Sequence, residues 1–558
     1  LLLLGTATAC SHPAALADAG PTEADMADQI GAQVMTAVWR GHVPGRSGDV
    51  FLVPRPGNFV AVSKDACGVT GGAPNADTAH PMPWASLARV PLIFYGPGRV
   101  PAGRAVSTPA DLASLAPTYA RLMGFDSFAA DGTALPEIAP GATPPKLIVT
   151  VVLDGGGWNT LQLHPGAWPN IERLIQGGTS YVNATNGSAP SITGAIHATM
   201  GTGRYPDEAG IPGNQMRGPD GTVVDTWANR AEPVFLRSPT LSDEWDVANG
   251  NRPVVGALAY ESWHLGFLGH GAAFDGGDRD PALLWDAKHM RWWTNERDYS
   301  LPEEFRDPDL ADLQRYEAGL DARDGIVDGT WFSQPLDALL ADPNLRVGTS
   351  AFMQYVGDEA LRLLRDERFG RDGLTDLLWL EFKGPDTAGH MWNVVSPEEG
   401  DLLNAVDEQV GRLRSTLDRL VGNGNYVLAL TADHGQQPVP ELSGGWRIDG
   451  QQLKDSIDAK FGRIVQKLSA TEIFLDHGAM RRLGVSADDV ARFVATQTIG
   501  DNLKANRRGG VPPVRMDERM FAGAFSDGYL ESLDPAAIEA FGPSSYPEGD
   551  LTIDPPRG

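Results

Sequence analysis

The sequence predicts an α/β fold: a central, mostly parallel sheet with helices on both faces and an inserted cap. Three observations carry this. Residues 147–153 (LIVTVVL), 377–382 (LLWLEF) and 426–430 (YVLAL) are almost unbroken apolar or β-branched runs, suited to strands buried on both faces. Each runs into a carboxylate among glycines: Asp154-Gly-Gly-Gly, Gly384-Pro-Asp386-Thr-Ala-Gly-His390 and Thr431-Ala-Asp433-His434-Gly435. Helical patterns separate the runs, and in open α/β sheets ligands gather at the carboxyl ends of the strands.

Length and charge bound the function. A chain of 558 residues with 42% apolar content can bury one large core or two. Its 45 basic against 72 acidic residues give a formal charge of −27, which argues against a nucleic-acid duplex as partner. An anionic small molecule then needs a locally cationic site, which bound metal supplies.

In chain order, LLLLGTATAC reads as the tail of an export signal, so the protein is expected in the periplasm, on the cell surface or secreted. Cys10 offers membrane attachment through a lipid; simple cleavage and secretion is the alternative, because Ala7 stands where a lipoprotein box prefers Leu. Cys67 is the other cysteine. Residues 1–30 are therefore signal remnant and tether. Residues 31–125 carry a strand over Val50–Val53, a loop over 68–80 that delivers His80, a buried strand at Val90–Gly96 and a helix over Thr108–Gly124. Residues 126–146, with four prolines, are a linker.

Residues 147–212 form a core segment, with a short helix at Pro169–Gly177 and then the stretch SAPSITGAIHATMGTGRYPDEAGIPGN from Ser188 to Asn214. Thr193 there reads either as an ordinary helix cap or as a hydroxyl held at the positive end of a helix dipole. Residues 213–348, rich in Trp and poor in long apolar strands, read as a cap insertion. Residues 349–440 return to core. Ser396-Pro-Glu-Glu399 is the pattern of a capping box, and Leu403, Val406, Val410, Leu413, Leu417 and Leu420 line one face of the helix that follows. Residues 441–558 are an accessory insertion and tail, in which a strand runs from Ile473 into a helix over 483–496.

Two pairs have ligand logic. Asp386 and His390 lie four apart, so one helical turn aims both at one point, and Asp433 and His434 are adjacent at a strand end. Carboxylate oxygen with imidazole nitrogen, and no cysteine, suits zinc or a similar divalent ion.

These motifs together resemble the alkaline phosphatase superfamily, most closely its nucleotide pyrophosphatase/phosphodiesterase branch. The resemblance implies a Thr193 nucleophile, Asn214 on a phosphoryl oxygen, and two divalent ions, Zn2+ by preference. Asp386, His390 and His80 would hold one ion; Asp154, Asp433, His434 and Thr193 would hold the other. In that family the last metal histidine follows the Asp-His pair, whereas here the block from Ser47 to Gly124 comes first. The simplest account is a circular permutation, with residues 31–125 the displaced C-terminal part of the catalytic domain. His477, in Ile473-Phe-Leu-Asp-His-Gly, is the rival for the last ligand, and Ser188 and Ser191 are rival nucleophiles. Ile192 stands where the sulfatase signature carries Arg, which argues against a sulfatase.

The substrate implied is a small phosphate ester or nucleotide. Single-threonine monoesterases of this kind add Lys and Arg from a K-x-R motif in the cap. The stretch from Val255 to Gly271 contains neither, which favours a phosphodiester or nucleotide pyrophosphate. An alkaline phosphomonoesterase with the same nucleophile and metals is the alternative, with Arg204, Arg217, Arg230 or Arg291 as a cation brought in by the fold. A non-catalytic surface lipoprotein would show a missing ligand, and every expected ligand position is filled.

Overall fold

The computed structural model describes residues 20–62, 78–503 and 513–546. The export signal, Cys10 and Cys67 lie outside them.

The main sheet has nine strands in the order Arg291–Trp293, Ala282–Asp286, Val255–Ala259, Asp376–Phe382, Leu147–Leu153, Tyr426–Thr431, Leu92–Tyr95, Thr179–Tyr181 and Arg104–Val106. Five consecutive strands, from Ala282–Asp286 to Tyr426–Thr431, run parallel. Leu92–Tyr95 then runs antiparallel to Tyr426–Thr431. Every residue of the three central strands is buried, which is why their sequences are continuous rather than alternating. The register pairs Phe382 with Leu153 and Thr431 with Val152, so Asp154, Asp386 and Asp433 emerge at one edge.

A smaller antiparallel sheet, ordered Val465–Leu468, Glu472–Leu475, Val50–Pro54, Phe521–Ser526, forms a second lobe with its own apolar core. The expected block 31–125 is thus divided: Val50–Pro54 belongs to the small sheet and Leu92–Tyr95 to the main one. The expected cap is divided too. Val255–Ala259 and Ala282–Asp286 lie inside the main sheet, and five-residue runs of small residues such as VGALA carry too little bulk to announce a central strand.

Three local expectations are corrected. The helix drawn from Thr108 begins as a 3-10 turn at Leu112–Ser114 and becomes α-helical at Leu115–Met123, with Pro117 in the first turn, where its missing N–H is not needed. The helix drawn over 483–496 is two, His477–Leu483 and Ala487–Thr496, parted at Gly484 with φ +68°. Ser396 Oγ accepts from Glu399 N as a cap should, but neither Glu399 oxygen finds a hydrogen-bond partner, so the capping box is half made.

Candidate active site

Thr193 opens the helix Thr193–Thr202 at its first position; the cap position is Ile192, so the hydroxyl does not serve as a cap. Gly194 allows close packing there: a Cβ would stand 2.8 Å from Asn214 Oδ1 and 3.0 Å from Gly213 O. Asn214 Oδ1 accepts from Gly194 N at 2.8 Å, and among the described residues its amide nitrogen has no hydrogen-bond partner. Both line one cavity with His80, Asp386, His390, Lys383, Tyr260, Glu261, Trp263 and Phe474. Ser188 and Ser191, the rival nucleophiles, are buried and do not line it.

Beneath the cavity the carboxyl edges of the strands converge. Gly155, with φ +72°, brings the chain after Asp154 against the Asp386 turn, where a Cβ would meet Asp386 Cα at 2.8 Å. His390 Nε2 lies 3.2 Å from Asp386 Oδ1 across one helical turn, and His80 Nε2 lies 3.5 Å from the same oxygen. The His80 ring stacks on His434 with centroids 3.6 Å apart. His434 Nε2 lies 3.4 Å from Asp154 Oδ1 and 3.3 Å from Asp433 Oδ2. Thr193, Asn214 and the six other residues expected to hold metal therefore lie in or directly under one cavity. His477 does not: it pairs with Asp49 in the small lobe.

The donor set fits divalent metal. His80, His390 and His434 each place Nδ1 on a backbone carbonyl, of Ser191, Thr78 and Gly435. Each Nδ1–H is thereby fixed, and each Nε2 lone pair is turned into the site. Asp154 Oδ1, Asp433 Oδ2 and His434 Nε2 are buried with no hydrogen-bond partner, and one ligand atom from each of these three residues lies within 4.8 Å of the others. Orphaned buried donors of this kind are costly unless a cation satisfies them. His80, Asp386 and His434 make a second such group.

Lys383, Glu381 and His264 were not singled out from the sequence. Lys383 Nζ stands 2.7 Å from Asp154 Oδ2 and 2.7 Å from Asp386 Oδ2. Burial opposes its charge, yet the two carboxylates hold its pKa well above the ordinary lysine value. In return, and against their own burial, Lys383 pulls the carboxyls of Asp154 and Asp386 below the usual range. Asp433 is pushed the other way, by burial and then by the charge of Asp154.

His197, His264 and Glu381 form a further buried trio behind Asp154. His264 Nδ1 accepts the backbone N–H groups of Glu261 at 2.8 Å and Tyr260 at 3.3 Å, so Nε2 carries the proton and points it at Asp154 Oδ2, 3.2 Å away. A protonated Nε2 cannot ligate metal, so this trio supports the Asp154 carboxylate rather than a third ion. The available signal was Glu381, an acid inside an otherwise apolar strand; Lys383 stood three residues before Asp386.

Among the described side chains, Arg204, Arg217 and Arg291 do not line the cavity. Arg204 pairs with Asp131, Arg217 with Asp49 and Arg291 with Asp286. The Arg230 side chain lies outside the described residues.

Residues 148–513 match the model of one family, the type I phosphodiesterase / nucleotide pyrophosphatase family. The chain belongs to that family. The match opens at the Leu147–Leu153 strand and leaves out His80. Among curated relatives, alkaline phosphatase PhoV of Synechococcus elongatus is 24% identical over 343 residues, covering 53% of this chain and 60% of PhoV. Alkaline phosphatase PafA of Elizabethkingia meningoseptica is 23% identical over 398 residues, covering 63% of this chain and 73% of PafA. The crystal structure of wild-type PafA superposes with a TM-score of 0.52 at 19% identity, over 69% of this chain and 85% of that one. The likeness shows that this family member has the alkaline phosphatase fold.

Proposed function

We propose that this chain is a two-metal phosphoesterase that transfers the phosphoryl group of a small phosphodiester or nucleotide pyrophosphate to Thr193 and then to water. The observation that carries the reading is the convergence of Thr193, Asn214 and six buried carboxylate and imidazole side chains in or directly under one cavity, with the lone pairs of three imidazoles turned inward. Asp386, His390 and His80 would hold one divalent ion, and Asp154, Asp433, His434 and Thr193 the other, Zn2+ being suited to the nitrogen and oxygen donors. Bound there, the ions supply charge neutralisation and a lowered hydroxyl pKa. The chain's own groups do the rest. Thr193 Oγ1 bonds to phosphorus as the ester oxygen leaves opposite it, giving a phosphothreonine; water then displaces Thr193 from phosphorus. The Asn214 amide donates to a non-bridging oxygen throughout. The position of His80 ahead of the first family strand supports a circularly permuted order.

The cavity favours a second ester group. Tyr260, Trp263, Val347 and Phe474 give it apolar walls, and Glu261 adds a carboxyl to the lining, which would oppose the second charge of a monoester when ionised. The monoesterase reading rests on Lys383, a cation lining the same cavity. The ratio of kcat/KM for bis-p-nitrophenyl phosphate over p-nitrophenyl phosphate, on zinc-loaded protein, decides between them. A ratio well above one supports the diester; well below one, the monoester. Thr193→Ala with full zinc content should lose about 10³-fold or more on either substrate; an unaffected rate would remove Thr193 as nucleophile.

A further inference from the structure

A second acidic centre lies at the other end of the sheet. Asp246 projects from the helix Leu241–Ala248, and Asp278 and Asp280 stand in the loop that enters the Ala282–Asp286 strand. One carboxylate oxygen from each of the three lies within 4.8 Å of the others. Ala282 opens its strand beside Ala257, so this loop sits at the amino ends of the parallel strands, whereas the catalytic residues sit at the carboxyl ends.

Burial separates this group from an ordinary solvated acidic patch. Asp280 is 6% exposed and Asp246 3% exposed, with Asp278 on the surface. The Asp280 carboxylate is aimed into the group yet makes no side-chain hydrogen bond or ion pair among the described residues, and Asp246 Oδ1 is buried with no partner. Among the described residues no cation offsets the two buried carboxyls. Burial first, then Asp246, Asp278 and Asp243, push the Asp280 carboxyl well above the usual range; burial, Asp278 and Asp243 push Asp246 up to about 7. Arg279, between two of the acids in sequence, turns away to donate to Glu296 O at 3.2 Å. Asp243 is already engaged by Thr240 and His270.

We propose that Asp246, Asp278 and Asp280 form a structural site for a calcium ion. All three donors are carboxylate oxygens, the set a hard cation selects, and neither nitrogen nor sulfur stands among them to attract zinc. The partly open edge at Asp278 suits Ca2+, which tolerates flexible geometry and bound water, better than Mg2+, which demands an ideal octahedron. The ion would fasten the Leu241–Ala248 helix to the loop leading into the sheet. That helix also packs against the helix carrying Thr193, and Trp245 Nε1 donates to Thr375 O at 2.8 Å. The site would thus brace the scaffold behind the nucleophile without touching substrate.

The test uses the full zinc-loaded chain in calcium-free buffer. Calorimetric titration with CaCl2 should show one ion per chain, with Kd on the order of 10⁻⁵–10⁻³ M. Added calcium should raise the melting temperature above that in NaCl of equal ionic strength. Asp280→Asn should weaken calcium binding tenfold or more and abolish the thermal shift. Asp278→Asn, at an exposed position that leaves the fold undisturbed, should also weaken binding tenfold or more. Zinc content and kcat at 25 °C should match wild type in both. No heat and no shift in the wild type would overturn the proposal, as would equal calcium affinity in wild type and both variants. Binding of MgCl2 in preference to CaCl2 would overturn the choice of ion.

Discussion

Lys383 touches both Asp154 and Asp386, so in metal-free protein it is an internal counter-charge of the site. Removing one partner of a buried ion pair strands the other, at about 3–5 kcal/mol. Lys383→Met should therefore melt several degrees below wild type when both are stripped with chelator. With zinc restored the gap should narrow, because the ions take over the neutralising role. A gap of equal size with and without zinc would mean that Lys383 acts through packing alone. The comparison between the two metal states, not the absolute melting temperature, carries the information.

At the scale of elements, the site exists because two strand ends approach more closely than side chains permit. Gly155 combines φ +72° with a virtual Cβ 2.8 Å from Asp386 Cα and 2.9 Å from Asp386 N. Alanine there meets backbone, which cannot swing aside, and pays the left-handed penalty as well. Gly155→Ala should lower zinc stoichiometry below two per chain along with the melting temperature. Gly166 provides the control: φ is +90° with nothing within 4 Å of a Cβ, so Gly166→Ala should cost about 1–2 kcal/mol and keep its zinc. Equal zinc loss in both variants would show that general destabilisation, not the approach of the two turns, governs metal binding.

Across the whole molecule, the small lobe reaches into the catalytic cavity through Ser469–Phe474. Glu472 lies there, 5% exposed, and burial pushes its carboxyl up to about 7, although Gly48 N donates to it at 2.8 Å. A carboxyl raised in the folded state holds its proton longer there than in the unfolded chain. Its stabilising contribution is complete below the unfolded pKa and is lost as pH rises through about 7. Glu472→Gln cannot ionise and keeps an oxygen for Gly48. The variant should match wild type near pH 5 and be more stable at pH 8, by an amount on the order of 3 kcal/mol. Melting curves at the two pH values check this; a difference independent of pH would exclude Glu472 ionisation as the cause.

The strand runs before Asp154, Asp386 and Asp433 were legible because a strand buried on both faces must be apolar throughout. Asp386 and His390 were legible because a helix brings residues four apart to one side. The strand Val255–Ala259 was not, since short runs of small residues owe their place to neighbouring strands rather than to their own pattern. Lys383, Glu381 and His264 were missed for a related reason: their roles depend on what stands opposite them, and no spacing encodes that.

The sequence by itself determined the sheet's core strands and the chemical types at their ends, because local periodicity and burial act over a few residues. Only the tertiary structure decided that His80, more than 300 residues before Asp386, comes within 3.5 Å of it, and that His477 does not. Long-range approach is set by sheet order and by glycines at the crossings. Those are properties of the packed chain, and the sequence states them only in sum.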